Sequence, residues 1–163
     1  MFESAHAYRE ELKLKLIKCW YEEKYKYYFA GEYSEIQIGN NCDYRHDLVY
    51  INPKTEEIDG YLSYNYDGKS RSISGFGLIS FSNNGALLMR NTIQHIIDMF
   101  ENGDIQRCEF WAFADNPAVM QYDRIISKYG GEKIATLHRT NWFDGGYHDC
   151  VVYEILEENL KIK

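Results

Sequence analysis

The chain has 163 residues, is 45% hydrophobic and carries a formal net charge of −7 at pH 7. This length and apolar content predict one folded domain over residues 1–163 and exclude intrinsic disorder. The acidic balance, without a long basic run, argues against a nucleic-acid-binding protein, because neutralising phosphates needs clustered Lys and Arg. No apolar stretch approaches the ~18 residues of a membrane span, so a membrane partner is not expected either.

The cysteine pattern indicates free thiols rather than a metal site. Cys19, Cys42, Cys108 and Cys150 form no CxxC pair, and no Cys/His spacing is typical of zinc. Cys108 and Cys150 lie in strand-like apolar runs, which predicts buried thiols. Reduced thiols, together with a segment Met1–Arg9 that lacks the apolar block of a signal peptide, predict a cytoplasmic protein.

The first half of the chain predicts one helix followed by three strands. Apolar residues recur at helical spacing over residues 4–29, which predicts a helix that ends at Gly31. Alternation in Leu12–Leu16 leaves a strand there as the alternative. The predicted strands are Leu48–Ile51, Ile58–Tyr66 and Ser72–Phe81. Gly75 and Gly77 lie inside the last of these, where glycine often marks a bulge or a close backbone approach.

The second half alternates between helices and strands. The predicted elements are a helix over Ala86–Phe100, a strand over Arg107–Ala114, a helix over Asn116–Tyr129, and strands over Lys133–Asn141 and Tyr147–Leu156. The strand at Arg107–Ala114 is apolar on both faces, so it belongs in the middle of a sheet. A strand-rich first half and an alternating second half predict an α/β fold with a mixed sheet and helices on both faces.

The loop Phe81–Ala86 joins a predicted strand to a predicted helix and is the first candidate site. A helix N-terminus presents unpaired N–H groups and about half a positive charge. A polar loop that contains Gly85 can therefore wrap a phosphate with backbone donors. The alternative is an ordinary strand-to-helix turn in which Ser or Asn caps the helix.

Two further clusters carry titratable side chains. Tyr122 lies on the predicted helix that begins at Asn116, where a phenol can act as a general acid; the alternative is packing in the core or at its rim. His148 and Asp149 are adjacent, but neighbouring residues on a strand point to opposite faces and cannot pair directly. We interpret that segment as a turn followed by a strand.

In order and spacing, four segments of the second half resemble the GNAT superfamily of N-acetyltransferases. These are Cys108–Ala114, Asp115–Ala118, Tyr129–Gly131 and Asp144–Asp149. The resemblance covers roughly residues 20–156. It implies a mixed, splayed sheet of about six to seven strands that binds acetyl-CoA where two central parallel strands separate. By resemblance these strands are Ser72–Phe81 and Arg107–Ala114.

The resemblance also implies which residues form the site. The pantetheine arm would pair with the main chain of Ile79, Ser80 and Phe81. The pyrophosphate would lie on Ser82, Asn83, Asn84, Gly85, Ala86 and Leu87. Asn116 and Tyr122 would lie near the pantetheine and the sulfur, with Tyr122 as the catalytic acid. No metal is implied.

The chain departs from the family pattern in two places. The loop keeps only Gly85 and contains no cation, although Arg90 lies one turn further on. Tyr122 falls one residue early relative to Asn116, which rotates its ring by about 100° around a helix.

These inferences predict acetyl transfer from acetyl-CoA to a primary amine by direct attack. Backbone N–H groups near Phe81 would stabilise the oxyanion, and Glu35, Asp67 and Asp115 are the candidate bases. The acceptor is a small-molecule or protein amine, and a homodimer is compatible with the resemblance. The alternatives are a catalytically degenerate GNAT-like domain that binds a ligand or protein, and a self-associating domain with an interface at Tyr25–Phe29.

Overall fold

A computed structural model describes residues 1–32, 37–39, 44–83 and 85–162. Three residues named above, Glu35, Cys42 and Asn84, lie outside these ranges. Of the cysteines that the structure describes, Cys19, Cys108 and Cys150 are all buried free thiols. The prediction for Cys108 and Cys150 is therefore confirmed.

Seven strands form one sheet in the order β1-β2-β3-β4-β5-β7-β6. They are β1 (Phe2–Ser4), β2 (Arg45–Ile51), β3 (Ile58–Asp67), β4 (Ser72–Ser80), β5 (Arg107–Phe113), β6 (Glu132–Phe143) and β7 (Gly146–Leu156). Every neighbouring pair is antiparallel except β4 and β5, which run parallel. The predicted mixed sheet is confirmed. The sequence missed only β1, which at three residues is too short to show alternation.

In the described part of the chain, four α-helices accompany the sheet: α1 (Arg9–Cys19), α2 (Lys26–Phe29), α3 (Gly85–Glu101) and α4 (Val119–Tyr129). The continuous helix predicted over residues 4–29 is wrong, because the chain breaks at Glu22, whose backbone is extended. The break turns Tyr25 and Phe29 into the core, where both are buried. The strand alternative at Leu12–Leu16 is also wrong, since α1 covers it. Within the described ranges, no helix has the length and apolarity needed to span a membrane.

Each face of the sheet packs against a different pair of helices. On one face, buried residues of α1 and α2 contact β2, β3 and β4; these include Leu12, Leu16, Phe29, Val49, Tyr61 and Ile79. On the other face, α3 and α4 cover the sheet through residues that include Leu62, Ile73, Phe100, Ile126 and Tyr153. Because β3 alternates its side chains, Tyr61 and Leu62 serve the two cores in turn. Helices on both faces are confirmed.

The parallel strands β4 and β5 separate soon after they begin. Their register has two residue pairs, Ser72–Arg107 and Ile73–Cys108. Beyond Ile73, the register that the structure gives for β4 involves β3 alone. The sheet therefore splays at its centre, as the resemblance implied.

A β-bulge at Gly75 lies just beyond the last β4–β5 pair. The register moves from Asn65–Ser74 to Ser63–Gly77, so two residues of β4 oppose one of β3. Gly75 has a φ of 62°, and a Cβ there would lie 2.6 Å from Asn65 Nδ2. The positive φ favours glycine at this position, and a side chain there would also displace the amide of Asn65. The bulge lies where the pairing of β4 with β5 ends, and a bulge inside this strand is what its glycines suggested.

Candidate functional site

The gap between β4 and β5 forms a cleft with a volume of about 660 Å³. It is lined from both faces of the sheet: by α3 and α4 on one side, and by the segment around α2 on the other. Among the residues predicted for the site, Ile79, Ser80, Asn116 and Tyr122 line this cleft. The structure therefore brings together residues from two distant parts of the chain.

The edge of β4 that faces the cleft carries backbone groups available for a ligand. The N–H of Phe81 donates to Asp59 O at 2.8 Å, toward β3. Backbone groups alternate their direction along an antiparallel pair, so the amides of Leu78 and Ser80 point the other way, into the gap. The Phe81 N–H is thus bonded within the sheet, and the backbone N–H groups near Phe81 that point into the gap are those of Leu78 and Ser80.

Tyr25 occupies one of the backbone groups on this edge, the carbonyl of Ser80. Its hydroxyl donates to Ser80 O at 2.9 Å. Burial raises the pKa of that hydroxyl, so it stays a donor at neutral pH. The open groups at the end of β4 are thus the two amides and the carbonyl of Leu78.

The predicted phosphate loop follows directly from this edge. Ser80 Oγ donates to Ser82 O at 3.0 Å, which folds the loop back onto the end of β4. The helix α3 then begins at Gly85, one residue before the predicted start. Phe81 and Ser82 are half-buried, whereas Asn83, Gly85 and Ala86 are exposed. The loop borders the cleft rather than lining it.

The first residues of α3 present the features of an anion site. In an α-helix the first four N–H groups have no intrahelical partner, and here they include those of Gly85, Ala86 and Leu87. A Cβ placed at Gly85 would meet no atom closer than 3.9 Å, so the space beside it is open. Arg90, one turn along, is exposed.

Asn116 shapes the turn that leads into α4. Its Oδ1 accepts from the Ala118 N–H at 2.9 Å, and its carbonyl accepts from the Val119 N–H at the same distance. The helix therefore begins at Val119 rather than directly after Asn116, which corrects the predicted boundary. The side-chain amide of Asn116 lies in the cleft wall, with its NH₂ group left for a ligand.

Tyr122, on α4, also lines the cleft. Its ring packs edge-on against Phe110 with centroids 5.7 Å apart. Burial raises the pKa of Tyr122 above its ordinary value. No hydrogen-bond partner for its hydroxyl occurs among the residues that the structure describes.

The candidate bases named from the sequence do not meet at this cleft. Asp67 accepts from the Lys69 N–H and from Ser70 Oγ, both at 2.9 Å, and these bonds lower its pKa. The carboxylate of Asp115 faces His148 Nδ1 at 2.8 Å. Neither aspartate lines the cleft, and Glu35 is outside the described ranges.

His148 and Asp149 have separate partners, as their adjacency on a strand predicted. While His148 faces Asp115, Asp149 pairs with His138 Nδ1 at 2.8 Å. The ring of His148 also stacks on Phe143, with centroids 3.8 Å apart. We therefore assign these pairs to the packing of β6, β7 and the turn before α4.

The sequence did not single out two charged residues of the cleft, Glu32 and Arg45. Glu32 follows α2, and Arg45 begins β2; both line the cleft on the side of α2. The aromatic run Tyr25–Phe29 lies at the same side, where Tyr25, Tyr27 and Tyr28 contribute to the wall. The run therefore contributes to the core and to the lining of the cleft. The available signal for Arg45 was its spacing from Asp47: two residues apart on a strand, the two charged side chains lie on the same face of β2.

Comparisons with known proteins address the fold. No protein-family model matches the chain, and no curated protein matches it in sequence. Among solved structures, mutant forms of the spermidine/spermine N-acetyltransferase SpeG from Vibrio cholerae share 19% identity at a TM-score of 0.61, over 72% of this chain and 70% of that chain. The manganese complex of that enzyme gives 18% identity, a TM-score of 0.60 and coverage of 72% and 68%.

A further structure, described only as an acetyltransferase, matches at 17% identity and a TM-score of 0.56, over 71% of this chain and 63% of that chain. These similarities and the open sheet place the chain in the class of α/β folds built around a cleft between two parallel strands. More specifically, it has the GNAT fold of the N-acetyltransferases. Within the described residues, no group of three or more His, Cys, Asp or Glu side chains could hold a metal ion.

Proposed function

We propose that this chain is an acetyl-CoA-dependent N-acetyltransferase that acts on a primary amine. The observation that carries the proposal is the splayed edge of β4, where Leu78 and Ser80 direct their amides into a cleft lined by Tyr122. An extended ligand can add to such an edge through main-chain hydrogen bonds, as a further strand would. The GNAT fold supports the same activity.

The residues present fit acetyl-CoA. Leu78, Ser80 and Asn116 offer hydrogen-bonding groups along the length of a pantetheine arm. Thr92 on α3 lies in the cleft wall, and its buried hydroxyl has no partner among the described residues. The loop from Ser82 and the N-terminus of α3 as far as Leu87 would hold the pyrophosphate.

Acetyl-CoA supplies a thioester whose carbonyl carbon is attacked by the acceptor amine, so that a C–N bond forms, the C–S bond breaks and CoA leaves as the thiolate. The amides of Leu78 or Ser80 stabilise the negative charge on the carbonyl oxygen. Tyr122 gives its proton to the departing sulfur. We place the acceptor on the side of the cleft formed by the segment around α2, where the exposed carboxylate of Glu32 lies, and Glu32 receives a proton from the amine.

Binding of acetyl-CoA is the direct test. At ~100 times its dissociation constant, acetyl-CoA should stabilise the folded protein by about 2.7 kcal/mol. We expect a corresponding rise in Tm by differential scanning fluorimetry, and release of free thiol when amines are added. Equal concentrations of ATP serve as the control for non-specific nucleotide binding. An unchanged Tm with millimolar acetyl-CoA would contradict the proposal.

Glu32→Gln should lower kcat/KM for the acceptor about tenfold. The rate enhancement from an exposed carboxylate should lie at or below the lower end of the range that general bases supply. The loss should shrink as the pH rises, since more of the amine is then already deprotonated in solution. Glu23→Gln is the matched control: Glu23 is a neighbouring carboxylate that pairs with Lys26 at 2.6 Å and does not line the cleft. Equal rates for both variants would remove Glu32 from the mechanism.

A binding module without catalysis is the second candidate. The observation that favours it is the loop at Ser82–Leu87, which has one glycine and no cation for the phosphates. Such a module would bind CoA, or another ligand, without releasing thiol in the presence of any amine. For either function we propose a cytoplasmic setting, which the buried free thiols Cys19, Cys108 and Cys150 support.

A further inference from the structure

Arg45 is held at the acceptor side of the cleft by a buried carboxylate. Its Nε donates to Asp47 Oδ1 at 3.2 Å. Asp47 is 0% exposed and also accepts from the Tyr61 hydroxyl at 2.6 Å and from the Gly39 N–H at 2.8 Å. The surrounding structure thus fixes Asp47, and Asp47 fixes the orientation of the guanidinium.

The outer part of the Arg45 guanidinium remains available. The side chain is 41% exposed; its Nε donates to Asp47, and the Tyr61 hydroxyl lies beside the guanidinium. The two terminal NH₂ groups of an arginine form a planar fork that matches the two oxygens of a carboxylate. Arg45 therefore offers a bidentate site at the mouth of the cleft.

The other charges of the cleft suit a ligand with both signs of charge. Its charged lining residues in the described ranges are Lys24, Glu32 and Arg45. Lys24 is paired with Glu22 at 3.1 Å, which leaves Glu32 and Arg45 as the opposite charges available to an acceptor. Although the chain carries a net charge of −7, Glu32 is the single carboxylate among the described lining residues of the cleft, which disfavours a polycationic acceptor.

We propose that the acceptor is a small amine that also carries a carboxylate, such as a free amino acid. Arg45 binds the carboxylate, and the amine lies on the side of Glu32 and the thioester. The rings of Tyr25, Tyr27 and Tyr28 form an aromatic wall for an apolar side chain of the acceptor. This inference rests on the proposed function.

Matched acceptors test the inference on the unmodified protein. We expect kcat/KM for phenylalanine to exceed that for 2-phenylethylamine, its decarboxylated form, by tenfold or more, because a charged hydrogen-bonded pair is worth about one to two decades in affinity. Spermidine should be a poorer substrate than phenylalanine. A preference for 2-phenylethylamine or spermidine would overturn the inference.

Arg45→Gln assigns the effect to this residue. We expect the ratio of kcat/KM for phenylalanine over 2-phenylethylamine to fall about tenfold or more, mainly through KM for phenylalanine. Arg45→Lys, which keeps the charge without the fork, should give an intermediate ratio. Arg124→Gln is the control, since Arg124 is exposed on α4 and does not line the cleft. An unchanged ratio in Arg45→Gln would overturn the assignment.

Each of these readouts is a ratio within one protein, so a general loss of folded enzyme cancels. If Arg45→Gln does not fold, the preference of the unmodified protein between the two acceptors decides the inference alone. Failure of the proposed function looks different: acetyl-CoA would not raise Tm, or no acceptor would release thiol. Turnover with a preference for amines that lack a carboxylate would leave the function standing and reject only the inference.

Discussion

Tyr122→Phe should lower kcat about 100-fold or more, because the variant keeps the ring and loses the proton that the leaving thiolate needs. The affinity for acetyl-CoA should stay close to that of the unmodified protein, since the ring still packs against Phe110. Single-turnover thiol release and a separate binding titration would measure the two quantities. Because the substitution removes only one oxygen atom, a loss of the fold would not explain a large decrease in kcat.

Tyr129→Phe is the matched control for this prediction. Tyr129 lies on the same helix and also lines the cleft, but its hydroxyl accepts from Lys128 Nζ at 3.2 Å. We expect its kcat to remain within a factor of about two of the unmodified protein, since surface hydrogen bonds contribute little. Equal losses in the two variants would contradict a specific role for Tyr122.

The pH dependence of kcat should also reflect the role of Tyr122 as the general acid. A general acid works only while protonated, so activity falls as the pH rises through the pKa of that acid. Burial raises the pKa of Tyr122 above the ordinary tyrosine value of about 10, which moves this loss to still higher pH. Activity should therefore show no basic decline between about pH 7 and 9. A decline in that window that persists in Tyr122→Phe would assign it to another group.

Gly85→Glu should weaken the binding of acetyl-CoA about 100-fold, because like charges brought together at a binding site cost several kcal/mol. The substituted carboxylate would lie at the first residue of α3, where the pyrophosphate is proposed to bind. An acidic side chain at a helix N-terminus stabilises the helix itself. The Tm of the free protein should therefore not fall, and isothermal titration would show the change in affinity alone.

Gly85→Ala separates charge from size. The nearest atom to a Cβ at this position is 3.9 Å away, which is ordinary van der Waals contact. We expect this variant to bind acetyl-CoA as the unmodified protein does. If Gly85→Glu binds equally well, the phosphates do not lie at this helix terminus, and the loop at Ser82–Leu87 has another purpose.

The sequence predicted the elements of the second half well because their signals are local. The run Arg107–Phe113 is apolar on both faces, and Gly130–Gly131 follows the last turn of α4, so each boundary is visible within a few residues. The long N-terminal helix failed for the opposite reason. Its periodicity continues past Trp20, and only the packing of Tyr25 and Phe29 against distant strands favours a break at Glu22.

The site was only partly visible from the sequence. Short motifs indicated Ser80, Asn116 and Tyr122, and the structure brings these into one cleft. The direction of the amides along β4 could not be predicted, because it depends on which residue of β3 pairs with Phe81. Arg45 and Glu32 were missed since neither belongs to a motif, and both reach the cleft only through the arrangement of β2 and α2.

The extra residue at Gly75 determines which face of the sheet each later side chain of β4 occupies. With one residue fewer, either the strand would slip by one position or its two halves would fall out of step with β3. In the slipped strand Ile79 would leave the core beneath α1 and α2 for the opposite face of the sheet, and the polar Ser80 would take its place in that core. The amides now offered to the gap would turn toward β3 at the same time. The extra residue at Gly75 therefore determines both which side chains of β4 lie in each core and which amides face the gap.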